Sequence, residues 1–221
     1  MSIIGSRNYT LLIGAAILLN SGLAQAGYIT GYEWDFKNNF SSVTTNVTDS
    51  EGNVAWRYRV GGAGVVPSTA SGMGWWNTGG FWEGNASPQG GKIGSGWLGS
   101  VSPGGSSQCP ILIWESNVTG QVDIDIALNS TSGNYWMTIF KNDTALASEN
   151  PDTGGYSLHG YSYSLKNYNV VDGDVIAIRI NPWGSNNKVT TDFTVTLVPE
   201  PATLAVLGAG LMLMVGRRRR R

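Results

Sequence analysis

Cysteine and histidine are almost absent from this 221-residue sequence, which contains one of each. The single cysteine, Cys109, excludes an intrachain disulfide, and the single histidine, His159, excludes a histidine-rich metal site. Cys109 stands next to Pro110 and before an apolar stretch, which predicts a packed side chain rather than a catalytic thiol. His159 lies among glycine, serine and tyrosine, which favours a loop residue over a general base. The motifs of serine hydrolases, zinc proteases, P-loops and dinucleotide-binding sites are also missing.

Positive charge is scarce between the two ends of the chain. Of the 14 basic residues, Arg7 and the five C-terminal arginines lie outside residues 27–201, which leaves 8 basic against 15 acidic residues, a formal charge of −7. An acidic domain of this kind is a poor partner for nucleic acid or for an anionic membrane surface. No nucleic-acid partner is therefore expected.

The N-terminal residues have the three parts of a secretory signal peptide. Arg7 precedes an apolar run over residues 11–19, and the small residues Ala24 and Ala26 follow it. This order predicts a signal peptide over residues 1–26 and cleavage after Ala26, because a core helix would not need the Ala-x-Ala exit.

The C-terminal residues form a second signal. The motif VPEP, residues 198–201, precedes an uncharged apolar run over residues 202–216, and five arginines end the chain. The run is shorter than the about 20 residues of a self-sufficient membrane helix. The arginines are expected to stay in the cytoplasm. These three parts predict a short hydrophobic helix that tethers the protein to the inner membrane transiently, with the domain on the periplasmic side.

This tail resembles the PEP-CTERM sorting signal of exported bacterial proteins, over residues 198–221. The resemblance implies an exosortase as partner, with processing at or near Pro199, Glu200 and Pro201. It also implies an exported protein of the cell envelope or the extracellular space, in an organism that makes extracellular polysaccharide. The resemblance implies nothing about the domain that precedes the tail, because unrelated domains carry it.

Apolar residues between the two ends alternate with a period of two, which is typical of half-buried strands. The clearest stretches are GQVDIDIALN, DVIAIRIN and TDFTVTL, and short turn sequences separate such stretches. The pattern predicts an all-β fold for residues 27–197, an antiparallel, jelly-roll-like β-sandwich in a single domain. Asp123 and Asp125 are expected on the outer side of their strand. The predicted core contains Ile124, Ile126, Ile176, Ile178, Phe193 and Val195.

The same region resembles a jelly-roll module of secreted bacterial proteins that often stands beside polysaccharide-active domains. The resemblance rests on the opening segments EWDF and WRYRV, and on the residues Trp114, Gly120, Val122, Gly173, Asp174, Ile176, Asp192 and Thr194. It implies a sandwich and no particular reaction.

Nine tryptophans are the most informative residues of the domain. Trp34, Trp56, Trp114 and Trp136 lie on predicted strands, where a core position is expected. Residues 84–96 and 100–108 are expected to form long loops. The glycine-rich stretch GMGWWNTGGFWEGN contains Trp75, Trp76 and Trp82, whose rings suit stacking on a sugar, with packing in the core as the alternative. At most one of Trp75 and Trp76 is expected to serve as the platform, since neighbours on a strand point to opposite faces.

The carboxylates suggest two further kinds of site, a catalytic site and a calcium site. A glycan-active enzyme needs two carboxylates across a cleft, and the candidates are Glu33, Asp35, Glu83 and Glu115. A calcium site would use Asp172, Asp174 and Asp192, although a turn before a strand explains the first two equally well.

The sequence thus favours an exported, cell-envelope-associated, non-catalytic binding or matrix module whose partner is extracellular polysaccharide. It is not expected to need a cofactor. The alternatives are a purely structural surface or biofilm-matrix protein that recognises no sugar, and a glycan-active enzyme.

Overall fold

A computed structural model describes residues 33–49, 52–76, 79–84, 90–100, 108–130, 134–149, 160–183 and 188–199. The chain divides into two units, of which Glu33–Thr196 contains nearly all of these residues, while the other joins Met1–Tyr32 to Leu197–Arg221. Within the described ranges, no helix has the length and apolar character of a membrane span. Both predicted export signals lie outside those ranges, apart from the first residues of the tail.

Among the described residues of Glu33–Thr196, strands form almost all of the regular structure. One helical turn, α1, covers Phe36–Asn39, and a 3-10 turn covers Pro67–Thr69. The strands are β1 Glu33–Asp35, β2 Asn46–Thr48, β3 Val54–Gly61, β4 Ser71–Gly72, β5 Gly74–Trp76, β6 Phe81–Glu83, β7 Gly91–Gly94, β8 Trp97–Ser100, β9 Cys109–Glu115, β10 Gly120–Ser130, β11 Asn134–Lys141, β12 Thr144–Glu149, β13 Tyr161–Val170, β14 Val175–Trp183 and β15 Lys188–Val198.

The strands form two sheets. Sheet A has the order β13-β10-β15-β8-β7-β6-β5, with β1 also paired to β15, and sheet B has the order β12-β11-β14-β9-β3-β2, with β4 also paired to β3. The paired strands run antiparallel in both sheets. The predicted antiparallel β-sandwich is therefore confirmed.

Aromatic side chains join the inner faces of the two sheets. The ring of Trp56 on sheet B meets that of Phe193 on sheet A edge-on, with centroids 5.0 Å apart. Trp34 on sheet A meets Trp114 on sheet B in the same way at 5.4 Å. Such edge-to-face pairs contribute about 0.5–1.5 kcal/mol beyond the area that they bury.

The period of two in the sequence places the predicted residues in this core. The six predicted core side chains are fully buried or nearly so: Ile124, Ile126, Ile176, Ile178, Phe193 and Val195. On the opposite side of β10, Asp123 and Asp125 form ion pairs with Lys166 at 3.5 and 2.8 Å. Both predictions for this strand are confirmed, because alternate residues of a strand point to opposite faces.

Residues 84–96 do not form one long loop, and that prediction was wrong. Gly91–Gly94 is strand β7, which pairs with both β6 and β8. The glycines of this segment are untypical of a strand sequence, but they have a role in packing. A Cβ atom on Gly91 would lie 2.6 Å from the backbone nitrogen of Pro110 on the facing sheet.

A short segment, residues 62–70, crosses the outer face of sheet B and is called the strap here. Val65, Val66 and Ala70 of the strap pack on an outward-facing apolar cluster. The cluster consists of Ile111, Ile113, Phe140 and Ala177. The strap therefore covers the middle of this face and leaves a hollow on either side of it, lined by different residues.

Candidate functional site

Trp82, one of the three predicted platform residues, is a core residue. Its side chain is 6% exposed, and its indole Nε1 donates a hydrogen bond to the carbonyl oxygen of Ser41 at 2.7 Å. Its ring lies 6.3 Å from that of Tyr58, a buried phenol whose pKa is raised by burial. A ring held in this way offers no free face to a ligand.

Trp75 lies on the same side of the sheet as Trp82. The two residues are opposite each other in the pairing of β5 with β6, and their rings meet edge-on at 5.2 Å. The half-buried ring of Trp75 also lies 6.3 Å from that of Phe40. Trp76 is opposite Phe81 in the same pairing, and its side chain lies outside the described part of the chain.

An aromatic pair lies on the outer face of sheet A, at the positions that alternate with the core residues. Phe81 and Trp97 are both half-buried, and their ring centroids are 5.7 Å apart at an interplanar angle of 68°. Their strand neighbours Trp82 and Leu98 point into the core. Phe81 and Trp97 are called the outer aromatic pair below.

Glycines allow both rings to lie close to the sheet. Gly94 is opposite Trp97 in the hairpin of β7 and β8, and a Cβ atom on Gly94 would lie 2.2 Å from indole atoms Cε2 and Nε1. A Cβ atom on Gly79 would lie 1.9 Å from Cε1 of Phe81. The rings therefore occupy space that a side chain at either glycine would fill.

Two ammonium groups approach the outer aromatic pair. Nζ of Lys188 lies 4.4 Å from the ring centroid of Trp97, and Nζ of Lys92 lies 4.3 Å from that of Phe81. Lys92 also faces the Glu83 carboxylate at 3.5 Å. The surface combines apolar rings with cations, although residues 27–201 are acidic overall.

The sequence analysis did not select the outer aromatic pair. It proposed Trp75, Trp76 and Trp82 as the platform, because they stand together in one glycine-rich stretch. The signal was the short stretch Gly94-Ser95-Gly96-Trp97, because a two-residue turn at 95 and 96 sets a glycine directly across from a tryptophan.

Of the four tryptophans expected in the core, three are there. Trp34, Trp56 and Trp114 are buried. The prediction for Trp136 was wrong, because it lies half-buried on the outer face of β11, between the inward-facing Tyr135 and Met137. Cys109 is fully buried, as predicted, and burial raises the pKa of its thiol to about 11.

The three aspartates considered for a calcium site have different surroundings. Asp174 is 8% exposed and pairs with Lys141 at 3.1 Å, while Asp172 is exposed in the turn after β13 and Asp192 is exposed on β15. Among the residues with described positions, no three acidic, histidine or cysteine side chains gather as metal ligands.

Three of the four carboxylates considered for catalysis have partners of their own, and the fourth, Glu33, is exposed. Asp35 accepts hydrogen bonds from the backbone and side-chain nitrogens of Asn38 and caps α1. Glu83 is buried beside Lys92, and Glu115 pairs with Nε of Arg57. Glu83 belongs to sheet A and Glu115 to the outer face of sheet B, so these two do not face each other across one cleft.

The predicted processing residues are not described by the structure, with one exception. Ala24, Ala26, Glu200 and Pro201 lie outside the described residues, and Pro199 is the last residue within them.

The solved structures similar to this chain include an adhesin domain and two modules of the CBM type. The K1 cleaved adhesin domain of Lys-gingipain from Porphyromonas gingivalis W83 is 13% identical, with a TM-score of 0.35 over 77% of this chain and 99% of that one. The C-terminal CBM6 of LamC from Zobellia galactanivorans is 13% identical, with a TM-score of 0.28 over 64% and 100% of the two chains.

A third structure, the xylan-binding module CBM86 from Roseburia intestinalis, is 12% identical, with a TM-score of 0.30 over 66% of this chain and 98% of that one. These values are too low to support an argument about function. No curated protein matches the chain.

One family comparison identifies the end of the chain. Residues 197–221 match the profile of the PEP-CTERM protein-sorting motif, over the VPEP sequence, the apolar run and the arginines. The protein therefore ends in a PEP-CTERM sorting motif, the signal of an exported protein that is sorted to the cell envelope.

Proposed function

We propose that the sandwich domain is a non-catalytic binding module of this exported protein and that its ligand is extracellular polysaccharide. The observation that carries the proposal is the outer aromatic pair, Phe81 and Trp97, which lies on the outer face of sheet A above two glycine positions. Aromatic rings with an accessible face stack on the apolar face of a sugar ring, and an indole N–H can bond a hydroxyl group.

The local packing supports this reading over a purely structural role. A core tryptophan such as Trp114 is fully buried between the sheets, whereas Trp97 remains half-buried on an outer face. Trp97 and Phe81 together form an apolar patch on this face, and contiguous apolar patches often mark binding surfaces. Strand pairing also places position 76 directly beside Phe81, so Trp76 remains part of the proposed platform.

The organisation of the whole chain belongs to the same proposal. A signal peptide over residues 1–26 directs export, residues 27–197 form the binding domain, and the tail over residues 198–221 is recognised by an exosortase. In this scheme the short apolar run holds the protein in the inner membrane until processing near Pro199, Glu200 and Pro201, with the domain on the periplasmic side.

Retention of the purified full chain on a panel of immobilised polysaccharides tests the proposal. Binding to at least one polysaccharide, without release of reducing ends, is the expected result. Retention on none of them would favour the purely structural alternative. Release of reducing ends that depends on Glu83 or Glu115 would favour the glycan-active enzyme.

A further inference from the structure

A hollow of about 370 Å³ lies beside the strap on the outer face of sheet B. Its walls come from β3, β9, the strap, the turn between β11 and β12, and the start of β14. Pro67, Ala70, Ile113 and Val175 give it apolar surface, and the rest of its lining is polar or charged. A concave site of about 300–1,000 Å³ with apolar walls and a few polar groups is the common form of a small-molecule site. This hollow is called the arginine pocket.

Two arginines stand side by side in the arginine pocket. Arg57 and Arg59 are alternate residues of β3, so both point to the outer face, and both are half-buried. Nε of Arg57 donates to Oε2 of Glu115, and the terminal nitrogens of Arg57 have no acceptor among the described residues. The Arg57 side chain is 32% exposed and lines the pocket, so a ligand in the pocket can contact it.

The second arginine forms no ion pair with a described carboxylate. Arg59 Nη1 donates to the carbonyl oxygen of Tyr58 at 3.1 Å, and Nη2 donates to Asn46 Oδ1 at 2.7 Å, both uncharged acceptors. Burial and the neighbouring charge of Arg57 lower the pKa of Arg59, and Glu115 opposes only part of this effect. Two guanidinium groups thus share one carboxylate, and an anion placed between them would reduce their repulsion.

The two carboxylates of the pocket can accept further hydrogen bonds. Asp143, on another wall, accepts from the backbone nitrogen and the hydroxyl of Ser68, and Glu115 pairs with Arg57 through one oxygen. A carboxylate has about four lone-pair sites, so both groups can also accept from hydroxyls. Two arginines and two carboxylates give the pocket no formal charge, which suits a ligand with one anionic group and several hydroxyls better than a densely charged one.

We propose that the arginine pocket binds a single uronate residue, a sugar ring that carries one carboxylate. The carboxylate accepts from Arg57 and Arg59, since guanidinium groups bind carboxylates through paired N–H donors. The ring hydroxyls donate to Glu115 and Asp143, and the apolar side of the ring lies against the apolar wall. The inference rests on the proposed function only for the class of ligand, because the pocket and the outer aromatic pair belong to different sheets and share no residue.

The test titrates the ¹⁵N-labelled full chain with methyl glucuronide and follows the backbone amide of Ser68 in the pocket wall. Methyl glucoside, the neutral counterpart, and acetate, a carboxylate without a sugar ring, are the control ligands. We expect the glucuronide to shift the Ser68 signal in a saturable way, with weaker binding at high salt because charge contributes. Each control ligand should bind at least about tenfold more weakly, the equivalent of one lost hydrogen bond to a charged group. The indole N–H signal of Trp97 reports the outer aromatic pair separately, so failure of one proposal is distinguishable from failure of the other.

Arg57→Gln is the decisive variant. It removes the charge and the paired donors, so the glucuronide titration should weaken about tenfold or more. The melting temperature should stay close to that of the wild type, because partly exposed ion pairs contribute little to stability. Arg57→Lys keeps the charge without the paired donors and should recover only part of the affinity. Lys166→Gln is the matched control, because it removes the same charge from the outer face of sheet A, and it should titrate like the wild type.

Three outcomes would overturn the uronate site. They are no saturable response of Ser68 to the glucuronide, an equal response to either control ligand, and an unchanged titration in a folded Arg57→Gln protein. An equal loss of affinity in Lys166→Gln would also overturn it, because the net charge of the protein would then attract the sugar. If Arg57→Gln does not fold, Arg59→Gln, which breaks no described ion pair, replaces it with the same expected loss.

Discussion

Single side chains in this domain connect segments that the backbone hydrogen bonds of the sheets do not join. Asp174 is the clearest case. Its Oδ2 accepts from the backbone nitrogen of Val171 at 3.0 Å, its Oδ1 accepts from Asn142 Nδ2 at 3.1 Å, and Lys141 pairs with it. Asp174 thus ties the turn between β13 and β14 to the hairpin of β11 and β12. Burial by itself would raise the pKa of Asp174, but these bonds outweigh it and the pKa is lowered.

Asp174→Asn should lower the free energy of unfolding by about 1–3 kcal/mol near neutral pH, since bonds to a charged acceptor are lost. The lowered pKa gives a second expectation. The carboxylate stabilises the fold at a pH above the ordinary aspartate pKa of about 4 and loses this effect as the pH falls through its own lower pKa. The wild-type melting temperature should therefore drop more steeply than that of the variant in acid.

Asp172→Asn is the matched control, because Asp172 is two residues away and exposed. It should melt like the wild type throughout, and added calcium or a chelator should change neither protein. A calcium-dependent rise in melting temperature that Asp172→Asn abolishes would instead support the calcium site considered from the sequence.

A substitution at Gly94 can displace the Trp97 ring while the tryptophan itself is kept. Gly94→Ala introduces a Cβ atom into the space of the indole ring, so the ring must move off the sheet. We expect polysaccharide retention to fall several-fold, while the loss of stability stays near the about 1–3 kcal/mol of an overpacked site. Gly72→Ala, at a glycine with open space around it, should retain polysaccharide like the wild type.

The sequence could not predict these residue-level contacts. The spacing of Asp172, Gly173 and Asp174 indicates a turn, and a turn with Gly173 at a positive φ of 83° is what the structure has. It does not show that Asn142 and Lys141 reach Asp174 from 32 and 33 positions away, which depends on how the hairpin of β11 and β12 lies against β14.

At the scale of elements, the strap gives the outer face of sheet B its shape. One end is anchored by Asp143, whose carboxylate accepts from the backbone nitrogen of Ser68 at 3.1 Å and from its hydroxyl at 2.6 Å. The other end is anchored where Arg179 donates to Val65. Because the strap has few backbone hydrogen bonds of its own, we expect these anchors, together with its apolar packing, to limit how often it opens.

Asp143→Ala should therefore release the strap locally. Amide hydrogen exchange at Thr69 and Ala70 should accelerate about five- to tenfold, the equivalent of about 1 kcal/mol for a lost anchor, with little change in the melting temperature. Thr144→Ala, at the exposed neighbouring residue, is the control and should leave the exchange rates unchanged. If Asp143→Ala leaves them unchanged as well, apolar packing alone holds the strap.

Strands with strict alternation were predicted well, because a period of two determines both the element and its buried face. Ile124 and Ile126 on β10 and Ile176 and Ile178 on β14 illustrate this. Strand β7 was not predicted, because its glycines have no apolar side chains that would show an alternating pattern. They make room for neighbouring atoms instead. Trp136 was assigned to the wrong face because the segment NYWMTIF is apolar on both sides, and the outer side is covered by the strap only in part.

At the scale of the whole molecule, the C-terminal tail and the domain were predicted from different kinds of sequence signal. The C-terminal tail was identified from a linear motif, which needs no tertiary structure to be recognised, and the family comparison confirms it. The fold could be predicted from the period of two in the apolar residues. The candidate site could not, because Phe81, Gly94 and Trp97 come together only through the register of three strands.

The sorting motif leads to a prediction about the mature protein. Processing at or near the Pro-Glu-Pro sequence should remove the apolar run and the arginines over residues 217–221. Intact-mass analysis of the protein isolated from its native host should therefore give a mass without this tail. A mature mass that still includes the five arginines would contradict exosortase processing.

The central claim is that the outer face of sheet A binds polysaccharide through the outer aromatic pair. The most direct test measures how well the Trp97→Ala variant is retained on a polysaccharide that retains the wild type. Losing one stacking ring should cost about 0.5–1.5 kcal/mol, a decrease in affinity of about two- to tenfold, while the melting temperature stays close to that of the wild type. Asp172→Asn, at an exposed residue of the turn after β13, is the control and should be retained normally. Undiminished retention of a folded Trp97→Ala protein would contradict the account.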